Sequence, residues 1–161
     1  MDRFWKPSVT VAAVIEKSGK FLMVQEKTKD GIKFNQPAGH LDQGESLIDA
    51  VSRETMEETA HEFKPTFLVG IYHNHFKSAA TSDEVSYIRF TFSGQIGKKY
   101  NLKLDKEIIR SIWMSYEEII ETKDSHRTPL VLLSIKDYLM KRNYPLSLIY
   151  TDPSVIMNKN V

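Results

Sequence analysis

Residues 39–61 read GHLDQGESLIDAVSRETMEETAH, and the periodicity of this stretch governs how the rest of the chain is read. From Ser46 to Thr59 the pattern is helical, with Ser46 as N-cap and Asp49 three residues later, where a capping-box partner belongs. A 100° step per residue puts Leu47, Ile48, Val51 and Thr55 on one face and Ala50, Glu54, Glu57 and Glu58 on the adjoining one. Three carboxylates therefore line one edge of the stripe that faces the core. Glutamates clustered on a helix ordinarily form a solvated acidic face. Here Glu54 and Glu58 are like charges at i, i+4, costing roughly 0.2–0.5 kcal/mol in an isolated helix, and no lysine lies between them. A hard divalent cation would resolve the repulsion, because magnesium takes oxygen ligands and is shared between carboxylates and substrate phosphates.

Upstream of the helix, Val9 to Ile15 is rich in β-branched residues. It is followed by the turn signal Lys17-Ser18-Gly19-Lys20 and a second apolar run, Phe21 to Val24, which predicts a hairpin. A polar loop is expected from Lys27 to Lys33, then a special backbone through Phe34-Asn35-Gln36-Pro37-Ala38-Gly39, where proline and glycine interrupt regular structure. Downstream, strands are expected at Phe67 to Tyr72, Tyr87 to Phe92 and Ile112 to Met114, and an amphipathic segment at Tyr116 to Ile120. A last helix starts with Thr128 as N-cap and Pro129 at its first position and runs to about Arg142. The tail after Tyr150 reads as irregular, and Lys77 to Glu84 as a loop whose conformation helps set specificity. Strands surrounding one central helix, with another helix late in the chain, predict an α/β or α+β layered domain, a single unit over residues 1–161.

Composition narrows the function classes. With 22 basic and 21 acidic residues the charges nearly cancel, so no global field draws in a nucleic-acid polymer or an acidic membrane, and any phosphate affinity must be local. There is no cysteine, which excludes disulfides, zinc-thiolate sites and thiol nucleophiles and fits a cytoplasmic setting. Val9 to Ile15 is too short to span a membrane. The expected partner is a small phosphorylated molecule, and the protein a monomer or homodimer.

The stretch from Gly39 to His61 resembles the Nudix box, GX5EX7REUXEEXGU with U a bulky apolar residue. Gly39, Glu45, Arg53, Glu54, Glu57 and Glu58 all fall in register. The resemblance implies an α/β/α sandwich with a mixed sheet. It further implies metal binding by Glu54, Glu57 and Glu58, with the backbone carbonyl of Ala38 as another ligand. One of the acids, Glu54 foremost, would act on water as the base, and Mg2+, or Mn2+ in its place, would be the cofactor. Glu45 and Arg53 would form a bracing salt bridge, whereas local pairing of Arg53 with Asp49 or Glu57 is the alternative, and the two can coexist. Gly39 fits a position of unusual φ/ψ or of close backbone approach. Three positions depart from the pattern. Thr55 can bond back to the Val51 carbonyl, Ala60 stands where a left-handed cap favours glycine, and His61 replaces an aliphatic residue.

Glu107, six residues before Trp113, resembles a further family acid that serves as ligand or base; the plain alternative is a surface glutamate in the run Lys103 to Arg110. Arg89 falls on the polar face of its strand, opposite Ile88 and Phe90, where it can clamp a phosphate or make a cross-strand ion pair. Phe34, Tyr72 or Phe76 can stack on a ring or simply fill the core. His40 sits in the phosphate-side loop, and Asn35 to Leu41 is similar to the same stretch of the NudJ-type phosphatase subfamily. The similarity returns at Arg127-Thr128-Pro129-Leu130-Val131 and Tyr144-Pro145-Leu146. It implies release of terminal phosphate from nucleoside di- or triphosphates, or from thiamine or hydroxymethylpyrimidine diphosphate. The alternatives are a nucleotide pyrophosphohydrolase and a nucleotide-binding sensor without turnover.

Overall fold

The computed structural model describes residues 4–157. Its strands are β1 (Ser8–Val14), β2 (Glu16–Lys17), β3 (Lys20–Thr28), β4 (Gly31–Asn35), β5 (Ala38–His40), β6 (His61–Lys77), β7 (Glu84–Lys99), β8 (Ile108–Ser115) and β9 (Tyr144–Pro145). Its α-helices are α1 (Leu47–Thr59), α2 (Tyr116–Glu121), α3 (Leu130–Leu139) and α4 (Pro153–Met157). One sheet has the order β5-β1-β7-β6-β9. Its β1–β7 pair is parallel and its other pairs antiparallel, so the sheet is mixed. In the second sheet β3 pairs with β2, β4 and β8.

Alternation along β1 explains the layering. Val11, Ala13 and Ile15 join Ala50 and Val51 of α1, together with Phe63, Leu68 and Phe92, in one core cluster. Val14 points the other way, into a cluster with Ile119 of α2 and Val131 and Ile135 of α3. Strand β3 divides in the same manner, with Leu22 in the first cluster and Phe21 and Met23 in the second. Helices on both sides of mixed strands give the expected α/β/α arrangement. Each fully buried large side chain, such as Phe92, contributes on the order of 1.5–3 kcal/mol from burial.

Several expectations need correction. The first two strands do not form one long hairpin: β1 and β3 lie in different sheets, and only Glu16–Lys17 pairs back on Lys20–Phe21 through a turn with Ser18 and Gly19 at positive φ. The chain crosses between sheets here because β1 is buried on both faces and its edges are taken by β5 and β7. The stretch Lys27 to Lys33 is a tight hairpin with Thr28 paired to Gly31, whose φ of 98° suits glycine. Strands β6 and β7 run far beyond the apolar runs that announced them, because their backbone ladder continues through polar residues from His73↔Ile88 to Lys77↔Glu84. Helix α3 ends at Leu139, followed closely by Lys141 at φ 61°. Thr128 still supports its start, accepting the Leu130 N–H at 3.2 Å, while Pro129 already has helical angles. The tail includes α4, whose first turn is held by the Asp152 carboxylate accepting from Ser154 N.

Candidate active site

Helix α1 begins where the sequence placed it. Ser46 accepts the Asp49 N–H at 3.0 Å, and its hydroxyl donates to the Asp49 carboxylate at 2.8 Å. Thr55 donates to the Val51 carbonyl at 2.8 Å and is thereby buried without an unsatisfied hydroxyl. Ala60 takes the left-handed cap conformation at φ 60°, a strained geometry for a residue with a Cβ.

Burial on one side of α1 takes in Glu54 and Glu58, while Glu57 stands at the solvent edge. Carboxylate oxygens of Glu54, Glu57 and Asp105 lie within 4.8 Å of one another. Asp105 is brought there because its N–H donates to the Glu57 carbonyl at 3.0 Å, docking the loop before β8 on the end of α1. Glu107, the acid singled out from sequence, is exposed and is not part of this group; its carbonyl accepts from Lys27 N instead. Glu58 turns toward β5 and accepts the Ala38 N–H at 2.9 Å.

Burial first, then the neighbouring acids, raises the carboxyls of Glu54 and Glu58 above the ordinary carboxylate range. For Glu58 the shift is large, with Glu26, Glu54 and Asp105 adding to burial and only the Ala38 N–H opposing it among the leading causes. Crowded oxygen donors with too little positive charge suit a hard divalent cation, so the residues fit such an ion. Glu54, Glu57 and Asp105 are positioned to hold it from the solvent side, with Glu58 and the Ala38 backbone next to them.

Arg53 brings a guanidinium directly onto these acids. Its Nε and Nη2 bond the two oxygens of Glu45 at 3.0 and 2.7 Å, its Nη1 bonds Glu54 and Glu57 at 2.9 Å each, and Nη2 also reaches the His40 carbonyl at 2.9 Å. Both pairings weighed for Arg53 from sequence are present, through Glu45 and through Glu57. Glu45 in turn accepts the Asp42 N–H at 2.8 Å, tying the loop to the helix. Gly39 is explained by close approach, because a Cβ on it would lie 2.1–2.3 Å from the carboxylate atoms of Glu54.

Next to these acids, Ala38, Gly39 and His40 of β5 also line a cleft of about 200 Å³, together with Glu26, Asn35, Phe76, Tyr87, Arg89 and Arg127. Among the described residues Arg89 pairs with side-chain amides and with no carboxylate. It is buried, and its Nη2 donates to Gln36 at 2.7 Å and Asn35 at 3.3 Å, while its Nε has no partner. Burial pushes its guanidinium down to about 10, with Glu26 the largest opposing influence. His40 is exposed at the cleft wall, its ring 6.1 Å from that of Tyr87. Of the three aromatic candidates, Phe76 lines the cleft. Phe34 packs on the second core cluster, and Tyr72 is buried with its hydroxyl donating to Asp137 at 2.8 Å. Glu26, Asn35, Tyr87 and Arg127 were not named as site residues from sequence, although Asn35 and Arg127 lie in the stretches that carry the subfamily resemblance; placement by β3, β4, β7 and the loop before α3 brings the four together.

A mixed sheet lies between helices, with buried carboxylates next to a cleft. The NUDIX domain model matches residues 5–133, and the chain belongs to the Nudix family and is a Nudix hydrolase. Among its relatives, Phosphatase NudJ of Escherichia coli (strain K12) is 35% identical over 146 residues, covering 90% of this chain and 92% of that protein. A NUDIX hydrolase from Nitrosomonas europaea is 48% identical with a TM-score of 0.84, covering 91% of this chain and 98% of its own. The NUDIX domain of Shewanella oneidensis NrtR, solved with ADP ribose, shares the fold at a TM-score of 0.64 and 18% identity, covering 84% of this chain and 90% of its own.

Proposed function

We propose that the protein is a magnesium-dependent hydrolase that removes terminal phosphate from small diphosphate-containing metabolites, nucleoside di- and triphosphates or thiamine and hydroxymethylpyrimidine diphosphates. The observation that carries this reading is the convergence of Glu54, Glu57 and Asp105 within 4.8 Å beside a cleft floored by Arg89. The likeness to a relative named a phosphatase supports terminal phosphate as the group released.

When bound, magnesium would neutralise charge on the phosphate oxygens and favour attack by water. Glu54, Glu57 and Glu58, with the Ala38 carbonyl, are the ligands proposed from the motif, and Asp105 joins them from the geometry. Glu54 orients the water and takes its proton. The water oxygen bonds to the terminal phosphorus, the anhydride P–O bond breaks, and the oxyanion of the remaining metabolite leaves along the cleft. Arg53 holds Glu54 and Glu57 at fixed spacing, and Arg89 and His40 bind the substrate's anionic or polar groups. Phe76 and Tyr87 offer faces to its ring. A cytoplasmic setting fits the cysteine-free sequence; among the described residues no helix is long and apolar enough to cross a membrane.

The test is product analysis across nucleoside di- and triphosphates and thiamine diphosphate. Orthophosphate release supports the reading. Pyrophosphate release would reassign the enzyme as a nucleotide pyrophosphohydrolase, and tight binding without turnover across the panel would point to a sensor.

A further inference from the structure

The cleft beside β5 continues past the residues assigned to the reaction. Asn74, Phe76, Arg127 and Thr128 line both it and a second, larger hollow of about 550 Å³. Three separate segments build the second hollow. Strand β4 brings Lys33, the end of β6 brings Lys77, and the short 3-10 turn Lys123–Ser125 brings Lys123. Its apolar wall is Phe76, Pro129 and Leu132.

Size argues that the two hollows serve one ligand. At about 200 Å³ the first is below the ~300–1,000 Å³ usual for small-molecule sites, whereas the two joined fall within that range. Charge argues for what the far end holds. Lys77 is paired with Glu84 at 2.9 Å and Arg127 faces Glu26 at 3.8 Å, but among the described residues Lys33 and Lys123 have no carboxylate partner. Of the two acids in the lining, Asp30 is engaged by Ser78 Oγ at 3.1 Å and Ala80 N at 3.0 Å, which pins the β6–β7 turn against the β3–β4 hairpin. Asp124 is the other; Glu84 and Glu26 offset Lys77 and Arg127, which leaves Lys33 and Lys123, among the described residues, as the lining cations that no carboxylate holds. Ammonium groups without a carboxylate partner, set beside low-dielectric walls, attract anions.

We infer that the second hollow seats a second phosphate, carried on the part of the substrate that leaves, so that the enzyme favours metabolites phosphorylated at both ends. This rests on the proposed hydrolase reading, with the anhydride at the acids and the leaving portion running past Arg127 and Phe76.

The experiment compares adenosine 5′-diphosphate with the same compound bearing a 3′-phosphate, on the full chain and on Lys33→Gln/Lys123→Gln. The wild type should show about tenfold higher kcat/KM for the 3′-phosphorylated compound, mainly through KM, and added salt should shrink the advantage. The double variant should lose the preference while its kinetics on adenosine 5′-diphosphate stay within about twofold. No preference in the wild type, or one unchanged in the variant, overturns the inference while leaving the hydrolase reading intact. If neither compound is turned over, the hydrolase reading fails for these substrates. Calorimetric binding of adenosine 3′,5′-bisphosphate against adenosine 5′-monophosphate then decides the inference alone. A lysine-dependent difference in affinity upholds it, and equal affinities overturn it.

Discussion

Replacing Gly39 with alanine tests how tightly the acids are packed against β5. The added Cβ would meet the Glu54 carboxyl carbon and Oε1 at 2.1 Å and Oε2 at 2.3 Å. The carboxylate must retreat by more than about 1 Å to reach the ~3.5 Å at which carbon atoms pack. Overpacking of this kind costs about 1–3 kcal/mol, and the low end applies because the group displaced is the tip of a side chain. A gain of about 0.4–1 kcal/mol from the stiffer unfolded chain offsets part of it, since Gly39 is not among the residues at positive φ. Net destabilisation should therefore be about 0–2 kcal/mol. The effect on chemistry should be far larger, because a 1 Å misplacement of a reacting group can cost ~100-fold in rate. The assay is kcat for magnesium-dependent phosphate release beside a urea melt, with Gly39→Ala/Glu54→Asp as control. The shorter side chain should recover stability without recovering rate. A folded Gly39→Ala that keeps kcat within about threefold would show that the Glu54 carboxylate is not held in place by its contact with β5.

Arg53→Ala should cost about 3 kcal/mol in urea denaturation, because Glu45 and Glu54 are buried and lose their guanidinium, although Glu45 keeps the Asp42 N–H. In a double-mutant cycle Arg53→Ala/Glu45→Gln should cost less than the two single changes added together; strict additivity would count against a shared network. Asp105→Asn should reduce magnesium-dependent turnover at least about tenfold, with Glu107→Gln within about twofold of wild type; the reverse ranking would return the role to Glu107. His126 is held below its ordinary pKa by burial, so its neutral ring is favoured in the fold. Its stabilising contribution is complete above about pH 6.5 and is lost as pH falls toward the lowered value. The stability difference between wild type and His126→Gln should therefore shrink between pH 7 and pH 5, and a constant difference would contradict the assignment.

Local signals were legible in the sequence wherever a single element determines them. The cap at Ser46, the carboxylate edge of α1, the Thr55 back-bond and the left-handed cap at Ala60 all follow from helical spacing. Extended backbone was harder to read. Strand ends in β6 and β7 are set by pairing with each other, so polar residues such as Lys77 and Glu84 gave no periodic signal. Asp105 carried no signal in the sequence, because spacing to Trp113 cannot say which side chain of a loop faces α1; the backbone bond from Asp105 N to the Glu57 carbonyl brings it beside the helix acids. The same holds for Glu26 and Arg127, far apart in sequence and meeting only across the cleft. Arg89 was placed on the correct strand face, but its amide partners on Asn35 and Gln36 depend on how β4 leads into β5.

On the proposed reading, the α1 acids work through a divalent cation on a phosphoanhydride. The most direct test is orthophosphate release from a nucleoside diphosphate titrated with magnesium, for wild type and for Glu57→Gln shown to be folded. Saturable magnesium dependence in the wild type, and a rate reduced at least about a hundredfold in the variant at every magnesium concentration, is the predicted result. Metal-independent release, or a variant as fast as wild type, would mean that the α1 acids do not act through a bound cation.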